Sequence, residues 1–173
     1  MGGRGSTGNR NSTAINEQEQ FEAIHQYQQV SWEGISDKEK RALSQYITTQ
    51  TDVKEQVSRG MVVSQSTIDN WLKQGSISFE GMSSWSTDGS ISARFSEVSR
   101  AVDAEDGKRS VIIISEKGLT NSAALPRTNS YAESEVLTST KDYEITSSRV
   151  QQSIGSNKSP TTTIIFVKPR RKR

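Results

Sequence analysis

The sequence predicts an α+β fold with its helices mainly on the N-terminal side. Helical spacing and helix caps concentrate between residues 16 and 75, whereas alternating and β-branched runs dominate from residue 76 onward. Helices grouped ahead of strands argue for segregated layers rather than alternating βα units. The length of 173 residues fits one domain. A hydrophobic fraction of 31% is low for a globular chain, so part of it is expected to remain outside the core.

Taken in order, residues 1–15 are Gly, Ser, Asn and Arg with little to bury, and are expected to form a disordered arm. Residues 16–31 place Phe21, Ile24, Tyr27 and Gln28 at helical spacing. Ser36-Asp37-Lys38-Glu39 is a capping box, and Ala42, Leu43, Tyr46 and Ile47 follow as one apolar stripe. Ser66 is expected to cap a short helix carrying Ile68, Trp71 and Leu72, with Gly75 placed to stop it. Ser76–Met82 alternates as a strand does, and a short helix is expected at about 90–99. Ser110–Ser115 holds Val111-Ile112-Ile113-Ile114, a buried strand by its β-branched content. Glu135–Leu137, Tyr143–Ile145 and Thr161–Val167 are further strands. The folded domain is expected over 16–168 and a basic tail over 169–173.

Composition removes several functions. There is no Cys, which excludes disulfides, thiolate metal sites and Cys nucleophiles. The one His, His25, lies in a Gln-rich segment and suits neither a Ser-His-Asp hydrolase nor a zinc site. No glycine loop of Walker or Rossmann type is present. The start has no apolar run of a signal peptide, and no stretch is long enough to cross a bilayer, so no membrane association is expected. Lys168, Arg170, Arg171, Lys172 and Arg173 alone exceed the net charge of +2, so the rest of the chain is mildly acidic. Such a tail is a solvated end or a contact for a polyanion.

Three short features then occur in order: Ser58-Arg59-Gly60-Met61, Ser83-Ser84-Trp85-Ser86-Thr87 and Glu133-Ser134-Glu135-Val136-Leu137. Singly they read as a surface turn, a loop and a solvated strand face. Together they resemble the Arg–Ser-x-Ser–Glu-x-Glu group of mono-ADP-ribosyltransferases, which includes bacterial toxins and phage enzymes. Lys73 to Met82 looks like the group's glycine turn and strand before Ser-x-Ser. Ile91-Ser92-Ala93-Arg94-Phe95 looks like the helix that follows, with Ser92 where Ala is usual, and Glu133 to Ile145 resembles a late hairpin. The likeness spans residues 33–168.

The resemblance implies two small packed β-sheets and NAD⁺ as co-substrate. It makes Glu135 the main catalytic carboxylate, orienting the ribose 2′-OH and stabilising positive charge as the nicotinamide bond breaks. Arg59, with Gly60, would bind pyrophosphate through a bidentate, permanently charged fork. Ser84 and Ser86 would lie on a neighbouring strand, one hydroxyl holding Glu135 in place. Trp85 would wall the dinucleotide pocket, with core packing as its rival role. Glu133 would align and deprotonate an arginine acceptor, its side chain sharing a face with that of Glu135 if the segment is extended. Tyr131, in a target-recognition loop over 118–132, would contact the target. The expected activity is transfer of ADP-ribose to an arginine of a host or rival protein, by a monomer of phage or prophage origin in the bacterial cytoplasm. Two other readings rest on the tail: a nucleic-acid-binding or virion-associated protein, or the same catalytic centre with a nucleic acid as acceptor.

Overall fold

A computed structural model describes residues 15–98, 107–126, 134–152 and 157–170. Helix α1 spans Glu17–Val30. Asn16 caps it by accepting from the Glu19 amide at 2.8 Å, and Glu17 and Glu19 complement the dipole of its first turn. Its inner face buries Ala23, Ile24 and Tyr27. Helix α2, Asp37–Thr49, begins at the expected capping box. Ser36 Oγ accepts from the Glu39 amide at 3.2 Å, while the Ser36 amide donates to Glu39 Oε1 at 2.9 Å. Ala42, Leu43 and Ile47 are buried, with Tyr46 at the margin.

Strand β1, Val57–Ser64, is a strand that the sequence pattern does not predict. Arg59-Gly60 sits inside it rather than at a turn, because β1 pairs along its whole length with β4, Lys108–Ser115. Helix α3, Gln65–Gln74, is capped by Ser64 rather than Ser66, since β1 runs into it without a loop and Ser64 Oγ accepts from the Thr67 amide. Gly75 ends it in the left-handed region (φ +71), as its position implied. The expected strand over Ser76–Met82 is shorter: β2 covers Ser76–Ser78, Gly81 turns the chain at φ +65, and β3 resumes at Ser83–Ser86. Helix α4 is Gly89–Phe95. The remaining strands are β5, Ser122–Ala124; β6, Glu135–Thr138; β7, Asp142–Gln152; and β8, Thr161–Pro169. β7 outruns the expected Tyr143–Ile145 because pairing with β8 carries its exposed polar half.

Among the described residues the strands order as β2-β7-β8-β4-β1-β3-β6-β5. The five strands up to β1 and the three beyond it are joined by a single residue pair, Ser58↔Ser86. The two expected sheets are therefore two halves meeting at a one-pair seam. β6 and β7 do not form the late hairpin: β6 pairs with β3 and β5, and β7 with β2 and β8. The main core lies between the halves, where Trp85 and Val136 of the small one meet Val57, Ile113, Tyr143 and Ile165 of the large one. A second cluster packs α1 and α2 onto Leu137 and Ala123. No helix among the described residues is long and apolar enough to cross a membrane.

Candidate active site

The seam brings the three sequence features together. β3 and β6 run antiparallel, with Ser86 opposite Glu135 and Ser84 opposite Leu137, so Ser84 is the diagonal neighbour of Glu135. Ser84 Oγ donates to Glu135 Oε2 at 3.1 Å. The other carboxylate oxygen, Oε1, is buried with no hydrogen-bond partner among the described residues. Burial raises the Glu135 pKa above the ordinary carboxylate value, and hydrogen bonding from Ser84 and then Gln28 pulls it partly back.

Arg59 reaches the same place from β1. Its Nη1 donates to the Ser84 carbonyl at 2.8 Å, and its guanidinium lies 5.1 Å from the Phe79 ring centroid. Its Nε is buried without a partner, and no carboxylate forms an ion pair with it among the described residues. Burial lowers the pKa of Arg59, but a guanidinium stays charged at any working pH. Gly60 follows because β1 passes against α4 here: a Cβ at this position would land on the Ser92 carbonyl oxygen.

Arg59, Gly60, Ser84 and Glu135 line one cavity of about 340 Å³, together with Gln28 and Phe95. A second cavity of about 400 Å³ adjoins it on the α1 side and shares Gln28, Ser84 and Glu135. Trp85 borders the first, but its ring belongs to the core. It is 2% exposed, tilted against Tyr143 at 5.3 Å, and its Nε1 donates to Ser83 Oγ at 2.9 Å. Ser86 Oγ accepts from the Asp88 amide at 3.0 Å and so shapes the entry to α4, which Asp88 caps.

Some other residues of the lining carry no motif in the sequence. Tyr27 and Gln28 lie on a helical stripe whose sequence carries no local motif to mark them as functional. Burial, and then the charge of Glu135, pushes the Tyr27 hydroxyl up to about 12. Gln28 Nε2 donates to the Pro126 carbonyl at 3.1 Å. Phe95 is 69% exposed at the cavity, an unusual position for a phenyl ring. Ser58 and Ser92 also line it.

Tyr131 and Glu133, with Arg171, Lys172 and Arg173, lie outside the described residues. Ser134 has φ +56, so the extended backbone that would place residues 133 and 135 on one face is interrupted there. Lys168 pairs with Glu144 at 3.6 Å, and the Arg170 amide donates to the Asp142 carbonyl; neither residue lines the cavity. Among the described residues no group of three His, Cys, Asp or Glu side chains could hold a metal ion.

No family model matches the chain, and no curated protein matches it in sequence. Solved structures do match in fold. The Vis toxin of Vibrio splendidus, an ADP-ribosyltransferase, superposes with a TM-score of 0.56 at 17% identity, over 91% of this chain and 75% of that one. Vis has also been solved with agmatine, and that structure matches with a TM-score of 0.51. Plx2a, an ADP-ribosyltransferase toxin of Paenibacillus larvae, matches with a TM-score of 0.56 at 13% identity, over 94% and 90%. The enzymatic component C2-I of the Clostridium botulinum C2 toxin matches with a TM-score of 0.61 at 12% identity, over 96% of this chain but 45% of its own. The fold expected from the sequence, that of ADP-ribosyltransferases, is the fold observed.

Proposed function

We propose that this chain transfers ADP-ribose from NAD⁺ to a macromolecular acceptor, most directly an arginine side chain of a protein, with Glu135 as the principal catalytic carboxylate. One observation carries the reading: a buried carboxylate oxygen, Glu135 Oε1, and a buried guanidinium nitrogen, Arg59 Nε, belong to residues lining the same cavity, and neither atom has a hydrogen-bond partner among the described residues. A lone buried charge is costly, and two of opposite sign left apart call for a ligand that satisfies both. A dinucleotide fits, because its pyrophosphate is anionic and its ribose hydroxyl donates.

In the reaction the bond between ribose C1′ and the nicotinamide nitrogen breaks, and its electron pair leaves with nicotinamide. Positive charge builds on the ribose. Glu135 Oε1, without a hydrogen-bond partner among the described residues, is an acceptor for the 2′-OH and a fixed negative charge in the cavity. Its burial leaves it poorly solvated in the resting protein, so its attraction strengthens as the cation forms. Ser84 prevents the carboxylate from turning away. Arg59 holds a phosphate through the amino groups not spent on Ser84. Phe95 offers an exposed ring at the cavity. An acceptor nitrogen then attacks C1′ and loses its proton, a task we give to Glu133 with Tyr131 contacting the target. Agmatine carries a guanidino group, so its complex with Vis supports a guanidinium acceptor. Action on host or rival proteins in a bacterial cytoplasm extends the same reading by analogy with toxins of like fold.

The test uses NAD⁺ labelled in the adenylate half, offered with agmatine and separately with a bacterial lysate. The expected products are labelled agmatine and protease-sensitive label. Nuclease-sensitive label would move the acceptor to a nucleic acid, and absence of nicotinamide release from the wild-type protein would sink the reading. Glu133→Gln should lower transfer by about 10²–10⁴, the usual cost of losing a general base, while hydrolysis falls much less.

A further inference from the structure

Two hydroxyl groups meet in the wall of the main cavity. Ser58, on β1, and Ser92, on α4, place their Oγ atoms 2.6 Å apart, and the residues are 7% and 2% exposed. Gly60 makes this possible, since any Cβ there would push α4 away from β1. The pair has two hydroxyl protons. One is spent within the pair, whichever serine donates. The other has no acceptor among the described residues, because neither hydroxyl makes another hydrogen bond. A buried O–H left unspent is rare in native proteins, and in a cavity wall it is available to an acceptor that enters the cavity, water or ligand.

The surroundings say what kind of acceptor. Ile91 and Phe95, on the same helix, also line this wall, so the donor is set among apolar groups. A single neutral donor among apolar side chains suits a neutral carbonyl on a flat ring better than a phosphate, for which Arg59 is available. Resting on the function proposed above, we infer that the Ser58–Ser92 pair donates a hydrogen bond to the carboxamide oxygen of nicotinamide. The pair thereby recognises the leaving group and retains it after the bond breaks. Nicotinamide is then a product that competes with NAD⁺ through this contact.

The experiment measures the dissociation constants of nicotinamide, pyridine and ADP-ribose by calorimetry for the wild type, Ser58→Ala and Ser92→Ala. Each substitution removes one hydroxyl and leaves the other without its fixed partner. Nicotinamide should bind both variants about five- to tenfold more weakly, the range of one neutral hydrogen bond. Pyridine lacks the carboxamide and ADP-ribose lacks the ring, so both should bind all three proteins equally. Equal ADP-ribose binding also shows that the variants are folded. Product inhibition by nicotinamide should relax by the same factor. Nicotinamide affinity unchanged in both variants would overturn the inference, as would equal losses for nicotinamide and pyridine, which would signify altered shape. A wild-type protein that binds ADP-ribose but not nicotinamide would overturn the inference and leave the proposed function standing. Binding of neither, with no NAD⁺ turnover, would remove both.

Discussion

The two halves of the sheet are built on different principles. The large half is held by length: β1 and β4 pair over eight positions, and β4 and β8 run parallel over six. Its buried strand centres are Val, Ile and Tyr. The small half consists of strands of three or four residues and is held by hydroxyls. Thr138 Oγ1 donates to the Thr120 carbonyl, Ser122 Oγ donates to the Leu119 carbonyl, and Ser84 Oγ donates to Glu135. The large half contributes the cation of the site and the small half its anion. A long regular ladder fixes one charge in position, while a lattice of short hydrogen bonds orients the other at its boundary with solvent.

If that division is right, substitutions in the two halves should fail in different ways. The largest effect belongs to Glu135→Gln, which keeps volume but removes the charge. Turnover of NAD⁺ should fall by about 10²–10³ or more with the fold intact. The same variant should be more stable at neutral pH. Burial raises the folded-state pKa of Glu135, so the stability it contributes is fully present below its unfolded pKa and is lost as pH rises through its folded pKa. Thermal melts of both proteins should coincide in acid and separate toward neutrality, with Gln the higher. Coincident melts at every pH would show that the carboxylate is not strained by burial.

Ile113→Ala is the opposite experiment, in a fully buried residue of the large half. A cavity left in a well-packed core should cost about 2–5 kcal/mol in denaturant titrations. The kcat of the remaining folded protein should change little, and a kcat loss comparable to that of Glu135→Gln would erase the distinction between the halves. Arg59→Ala should weaken NAD⁺ binding by about 10–100-fold, the worth of hydrogen bonds to a charged group. Arg59→Lys should restore only part, since an ammonium cannot reproduce the fork. Calorimetry giving one affinity for all three proteins would take Arg59 out of the pocket.

The smallest effect is assigned to Ser84→Ala. Its hydroxyl lowers the pKa of Glu135, so its loss should raise that pKa further. The acid limb of the pH–rate profile should move to higher pH, with the plateau rate down by roughly three- to tenfold. A lower plateau with an unmoved limb would mean that Ser84 supports the strand rather than the charge.

Legibility in the sequence follows the same line. Local chemistry was readable: Ser36 and Glu39 form the capping box they spell, and Val111–Ile114 is the buried strand its branching implies. β1 was not readable, because Ser58, Arg59 and Gly60 carry no strand pattern of their own. Their conformation is imposed by β4 on one side and Ser86 on the other. At the site, Arg59, Ser84 and Glu135 were found through their order along the chain, which a motif can carry. Tyr27 and Gln28 were assigned to a helix face, and nothing nearby in sequence says that the end of this helix comes to rest beside Glu135. Tertiary placement, rather than composition, makes them part of the site.

Ser134 has a consequence for how the chain enters β6. A serine at φ +56 is a costly backbone choice, on the order of 1–2 kcal/mol, and it stands immediately before Glu135. Were the segment a continuous strand, alternation would bind the side chains of residues 133 and 135 into one rigid row, and any change at one would be felt at the other. The left-handed residue breaks that alternation at the start of β6. Glu135 keeps its Ser84 partner through the pairing of β6 with β3, which begins only after this kink.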